Sequence, residues 1–254
     1  MKFASLGSGS QGNATLVEAG NTCVLVDCGF SMRETVRRLA LLERHPEQLN
    51  AILVTHEHGD HIKGVMPLAR KYQLPVYLTA GTAKAAVANG VVLHTVEDAQ
   101  TLSIGDLSVL PVAVPHDARE PVQFLFSYQQ FRLGVLTDIG SITPYVVKCF
   151  DGCDGLLLEA NHDLQMLAAG PYPPSLKQRV SGRWGHLNNG QSAELLSQID
   201  CARLQHLVLG HISLQNNNLD RVKAAVEPHL EGVGRVHYAC QNDGFGWLHL
   251  VENG

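Results

Sequence analysis

A dense run of metal-seeking side chains between residues 53 and 64 constrains this chain more than anything else in it. The run reads Leu53-Val54-Thr55-His56-Glu57-His58-Gly59-Asp60-His61-Ile62-Lys63-Gly64 and puts three histidines and one aspartate within six positions. The apolar stretch Ala51-Ile52-Leu53-Val54 precedes it and predicts a buried strand. Val65-Met66-Pro67-Leu68-Ala69-Arg70 follows it and predicts a helix. The cluster therefore sits on a strand-to-helix turn at a strand's carboxyl end, where α/β proteins place their ligands.

Chemistry explains the spacing. His56 and His58 are two apart, so an extended turn points both side chains the same way. Neutral imidazole is a good ligand for zinc and similar ions, and a carboxylate widens the range of metals accepted. Asp60 and His61 are adjacent and diverge, which suits a second ion beside the first. Gly59 lets the backbone approach closely. A histidine-rich surface loop would not need this order after an apolar strand.

Composition sets the frame. Of 254 residues, 45% are hydrophobic and 17% charged, which predicts a packed core. The formal net charge is −5 and the pI about 6.2, so no overall basic signature for nucleic acid is present. No apolar run approaches the ~18 residues of a membrane span, and the N-terminus lacks a signal-like stretch. The expectation is a cytoplasmic protein with no membrane association. Cysteines 23, 28, 149, 153, 201 and 240 are scattered, do not complete a zinc ribbon, and are expected to be free thiols.

Read in order, residues 2–6 predict a strand. Gly7-Ser8-Gly9-Ser10-Gln11-Gly12-Asn13 is then either a plain turn or a loop offering N–H groups and hydroxyls to a phosphate. Residues 14–19 and 22–27 predict a hairpin ending at Asp27-Cys28-Gly29. Helices are expected over 31–44, 62–72, 80–89, 191–199 and 218–231. Further strands are expected at 75–79, twice between 101 and 114, at 123–128 and 130–137, near 154–159, at 206–210, 235–240 and 246–251. Polar groups close several of them: His116-Asp117, Asp138, Glu159-Ala160-Asn161-His162-Asp163, and His211-Ile212-Ser213-Leu214-Gln215-Asn216-Asn217. With no linker or repeat, one domain over 1–254 is expected.

The string Thr55-His56-Glu57-His58-Gly59-Asp60-His61 resembles the signature of the metallo-β-lactamase superfamily. The resemblance implies an α/β fold, an αββα sandwich of two mixed β-sheets flanked by helices, with a one- or two-metal site at one edge. It implies one ion on His56, His58 and His116 and a second on Asp60, His61 and His211, bridged by Asp138. Asp27 would hold the His-rich loop by hydrogen bonds, or serve as a simple turn residue.

Glu159-Ala160, Gly185-His186 and Gly210-His211-Ile212-Ser213 resemble, in that order, the phosphodiesterase branch of the superfamily. The Gly-Ser-Gly-Ser-Gln-Gly-Asn loop and the segments around 159–163, 181–187 and 211–217 further resemble its YycJ-like (WalJ/VicX) exonuclease group. Asn188 departs from that group, where Ser is expected. The resemblance implies a dinuclear phosphodiesterase, a DNA exonuclease of 5′ to 3′ polarity, with Zn²⁺ or Mn²⁺, or Fe²⁺, as its ions. His186, oriented by Glu159, would protonate the leaving oxygen, and Asp60 could orient the nucleophile. Ser213, Asn216 and Asn217 suit phosphate contacts or a capping cluster, and His162 either lines the cleft or is structural. Candidate backbone contacts for DNA, preferred over RNA, are Arg33, Arg37, Arg38, Lys177, Arg179 and Arg183, each otherwise a solvated charge. The alternatives are a small cyclic phosphate as substrate or, in another class, a thioesterase-type acyl ester.

Overall fold

The computed structural model describes residues 1–252. β1 (Lys2–Gly7), β2 (Ala14–Ala19) and β3 (Thr22–Val26) form an opening meander. α1 (Met32–Leu41) starts at Ser31, whose side chain accepts the Glu34 N–H. Next come β4 (Ala51–Leu53), α2 (Gly59–Ile62), α3 (Val65–Tyr72), β5 (Val76–Leu78), α4 (Ala80–Ala83) and β6 (Leu93–Thr95). The second half contributes β7 (Leu102–Ile104), β8 (Leu107–Ala113), β9 (Val122–Tyr128), β10 (Phe131–Leu136), α5 (Pro144–Phe150) and β11 (Gly155–Glu159). It continues through α6 (Leu164–Ala169), α7 (Pro174–Ser181), α8 (Asn189–Gln198), β12 (His206–Gly210), α9 (Leu219–Val226), β13 (Arg235–Tyr238) and β14 (Phe245–His249).

The strands make two seven-stranded sheets, ordered β14-β1-β2-β3-β4-β5-β6 and β13-β12-β11-β10-β9-β8-β7. Both are mixed: β3 to β6 run parallel, as do β10 to β13, while the meanders are antiparallel. Side-chain alternation along the strands builds the layers. Val24, Val26, Ala51 and Leu53 of the first sheet pack against Phe124, Leu133, Val135, Leu157 and Val208 of the second. Their neighbours face outward: Leu25 and Ile52 meet Leu39 and Leu68 of the helices, and Leu156, Leu158, Leu207 and Leu209 meet Leu195 and Val222. The result is the expected αββα sandwich.

Local chemistry revised several expected elements. The helix expected over 62–72 is two, because Gly64 donates to the Cys28 carbonyl at 2.7 Å and a Cβ there would lie 2.2 Å from the Phe30 carbonyl oxygen. The helix expected over 218–231 changes to a 3-10 turn at Glu227–His229, where Pro228 supplies no N–H. The expected 80–89 helix closes at Ala83. Strand β6 and helices α5, α6 and α7 were not among the expected elements; α7 is short and buries none of its side chains in the core.

Candidate metal centre

The parallel strands of both sheets end at one edge, and their carboxyl ends carry the polar residues. Asp27 follows β3, His56 follows β4, Asp138 follows β10, Glu159 ends β11 and His211 follows β12. Asp27, Asp138 and His211 have φ of 60°, 51° and 51°. Left-handed backbone at non-glycine residues costs roughly 1–3 kcal/mol each and concentrates at functional sites.

Asp27 anchors the metal-seeking loop. Its Oδ1 accepts the Thr55 N–H and its Oδ2 the Thr55 hydroxyl, both at 2.8 Å, while His61 Nδ1 lies 2.8 Å from Oδ2. Asn13 N–H donates to the Asp60 carbonyl at 2.8 Å. Gly29 is required at this junction, since a Cβ would lie 1.8 Å from that same carbonyl oxygen.

Three overlapping groups of ligand atoms result, each lying within 4.8 Å: His56, His58 and His116; His56, His61 and Asp138; and Asp138, Glu159, His186 and His211. Hydrogen bonding reveals how they face. His116 Nδ1 lies 2.9 Å from the Gly185 carbonyl and His58 Nε2 lies 3.2 Å from the Asp117 carbonyl. A carbonyl takes the proton on those nitrogens, so when both rings are neutral, as metal ligands must be, His116 Nε2 and His58 Nδ1 face each other with lone pairs at 3.3 Å. His56 Nε2 is buried with no hydrogen-bond partner among the described residues. Opposed lone pairs beside an orphaned buried nitrogen are costly unless a cation lies among them. The donor set fits a divalent metal.

His61 Nε2 lies 3.0 Å from Asp138 Oδ2 and 3.5 Å from Asp60 Oδ2. His211 Nδ1 lies 3.0 Å from Asp138 Oδ2, and its Nε2 lies 4.0 Å from Asp60 Oδ2. Burial opposes the His61 cation, but Asp138 and Asp27 hold it well above the usual imidazole range. Burial would raise the Asp138 carboxyl; His211 and His61 overcome that and hold it well below the usual range. Burial, reinforced by His61, pushes His56 well down, leaving a neutral imidazole able to bind metal.

Glu159 is buried and fully engaged. Its Oε1 lies 2.6 Å from His186 Nδ1, while its Oε2 accepts the N–H groups of Ile139 at 3.0 Å and Leu187 at 3.2 Å. Burial disfavours the His186 cation, but Glu159 and Asp138 raise it to about 9. A cavity of about 360 Å³ opens here, lined by His58, Asp60, Asp138, His186, His211 and Ser213, among others.

The cavity also admits Asn216 but not every residue the sequence offered. His162 has no solvent exposure and does not line it; burial pushes its imidazole to about 4. Asn217 is buried too, donating to the Ala160 carbonyl at 2.9 Å and interlocking with Asn189. Neither lines the cavity; both ring nitrogens of His162 are buried without a hydrogen-bond partner among the described residues. Ser213 Oγ accepts the Asn216 N–H at 3.1 Å, the capping arrangement, while still lining the cavity. Asn188 caps α8 by accepting the Gln191 N–H at 3.0 Å, the task a Ser performs equally well. Of the basic residues, only Arg179 lines the cavity, paired with Asp117. Arg38 donates to the Leu6 carbonyl at 2.6 Å, Arg37 pairs with Glu34, and Lys177 donates to the Ala168 carbonyl. Asn161, from the polar strand end at 159–163, lines the cavity too, as do Tyr172 and Leu176, which no sequence signal announced.

Residues 22–212 match the family model of the beta-lactamase superfamily domain. The chain belongs to the β-lactamase superfamily. This superfamily member is 38% identical over 224 residues to "Exodeoxyribonuclease WalJ" of Streptococcus pneumoniae, covering 85% of this chain and 83% of that one. It is 34% identical over 241 residues to "Exodeoxyribonuclease YycJ" of Bacillus anthracis, covering 92% and 90%. The resemblance to the YycJ-like group therefore extends over most of the chain. Among solved structures, zinc-bound PqqB from Methylobacterium extorquens superposes with a TM-score of 0.77 at 19% identity, covering 98% of this chain and all of that one. This superfamily member has no described helix long and apolar enough to cross a membrane.

Proposed function

We propose that the protein is a two-metal DNA exonuclease acting 5′ to 3′. The observation that carries this reading is the overlap of the three histidine and carboxylate groups, two of which contain Asp138, with His186, held by buried Glu159, opening into the same cavity. The two relatives named as exodeoxyribonucleases support DNA as substrate. One ion would be held by His56, His58 and His116, the other by Asp60, His61 and His211, with Asp138 shared. Zn²⁺ and Mn²⁺ both suit this set, and Fe²⁺ is compatible. When bound, such ions polarise a phosphoryl oxygen and make water nucleophilic near neutral pH.

The chain's own residues do the rest. Asp60, at the cavity wall beside His61, orients the attacking water. Glu159 keeps the Nδ1 proton of His186 and fixes the ring, so that Nε2 hands a proton to the departing sugar oxygen. Ser213 and Asn216 offer neutral hydrogen-bond donors to phosphate. Seven ligands and a proton donor distinguish this from a binding module that has lost catalysis. Six unpaired cysteines fit a reducing, cytoplasmic setting.

The test uses protein loaded with Mn²⁺ or Zn²⁺, 5′-labelled duplex DNA, and bis-p-nitrophenyl phosphate, with Asp60→Ala as control. Release of labelled mononucleotide, abolished in the variant, is expected. Turnover of the small diester with DNA untouched would point to a small cyclic phosphate. Inactivity on both would return the acyl esters to consideration.

A further inference from the structure

Helix α7 is anomalous. It carries Leu176 and Val180, yet buries no side chain in the core. Both residues line the catalytic cavity together with Tyr172, four positions before Leu176. One turn of helix separates Leu176 from Val180, so the two share a face. The cavity thus combines the metal-seeking histidines and carboxylates with an apolar wall that no described element covers.

That wall is held in place. Arg179 pairs with Asp117 beside the metal loop, and the Val180 carbonyl accepts the His186 N–H at 2.9 Å. Pro173 and Pro174 follow Tyr172, and Pro174 opens the helix. As the residue before a proline, Tyr172 is held to extended backbone. Tyr172 is half-buried, with no hydrogen bond from its hydroxyl among the described residues. An aromatic ring presented this rigidly loses little entropy when it meets a ligand.

Resting on the exonuclease reading, we infer that Tyr172, with Leu176 and Val180, receives the base of the terminal nucleotide while its phosphate lies at the metal centre. A phosphodiester at the metal groups brings a sugar and a base with it, and the base is the part that needs an apolar, aromatic surface. Stacking tolerates any base, so trimming is insensitive to sequence.

The experiment compares metal-loaded wild type, Tyr172→Ala and Tyr172→Phe on single-stranded oligonucleotides whose terminal nucleotides are either normal or abasic. For wild type, removing the terminal base should raise KM by about 5- to 100-fold, the range of a base–aromatic stack. Tyr172→Ala should raise KM on normal ends by a similar factor and lose the distinction between normal and abasic ends. Tyr172→Phe should keep it. An equal loss of Tyr172→Ala activity on both ends would mean a merely structural residue and overturn the inference. So would a wild type that ignores the abasic change while degrading DNA. Wild-type inactivity on every DNA would overturn the exonuclease reading itself.

Discussion

His186 Nδ1 lies 2.6 Å from Glu159 Oε1, and the other oxygen of that carboxylate is occupied by two backbone N–H groups. Glu159 is thus committed to orienting the histidine. Replacing it with Gln should lower kcat by about 10²–10⁴-fold, the span of general acid catalysis. His186→Ala should cost the same, and the double variant little more, because the pair acts as a unit. Metal content, read by elemental analysis, should stay at the wild-type level. Loss of metal in Glu159→Gln would show instead that the carboxylate belongs to the ligand set.

Asp27 touches no cavity atom but holds both Thr55 and His61. Asp27→Ala should weaken metal binding about 10–100-fold, as expected when the partner that orients a ligand is lost. Isothermal titration with Zn²⁺ measures this. Wild-type affinity would mean that the loop holds its shape without that carboxylate.

Two glycines of the site should respond oppositely. Gly29→Ala drives a Cβ to 1.8 Å from the Asp60 carbonyl oxygen, so the metal loop must shift. Its thermal midpoint and DNA hydrolysis should both fall. A Cβ at Gly59 would meet nothing within 4 Å, and Gly59→Ala should leave stability within about 0.5 kcal/mol. Thermal melts of both variants check the contrast.

Burial pushes the thiols of Cys23, Cys28 and Cys153 up to about 12. Their thiolates are disfavoured in the fold, so at pH 8 a disulfide reagent should label exposed Cys240 quickly and these three only after unfolding. The linkage has a definite sign. A raised folded value supports the fold fully below the ordinary thiol value of 9.0 and loses that support as pH rises toward about 12. Denaturant midpoints should therefore decline across that alkaline window, and a flat profile would contradict it.

How much of this was legible in advance follows the range of the interactions. The run from His56 to His61 declared itself because its ligands share one turn after one strand, and a local turn needs only local sequence. The apolar alternation of Val24, Leu25 and Val26, or of Leu156, Leu157 and Leu158, likewise announced strands buried on two faces. His116, Asp138, Glu159, His186 and His211 were readable only through resemblance, since nothing in their spacing says they meet. Tertiary structure brought them together: the parallel strands β10, β11 and β12 end at one edge with Asp138, Glu159 and His211, while His116 arrives from the loop after β8 and His186 from the loop between α7 and α8. It also decided what periodicity could not. It buried His162 and Asn217 away from the cavity that the neighbouring Asn161 and Asn216 line. Helix α7, which buries no side chain in the core, became a wall of the cavity. The sequence by itself determined the chemistry of the centre and the layers that carry it. Which side chains reach the cavity was settled by long-range packing, because that depends on the relative placement of elements far apart in the chain.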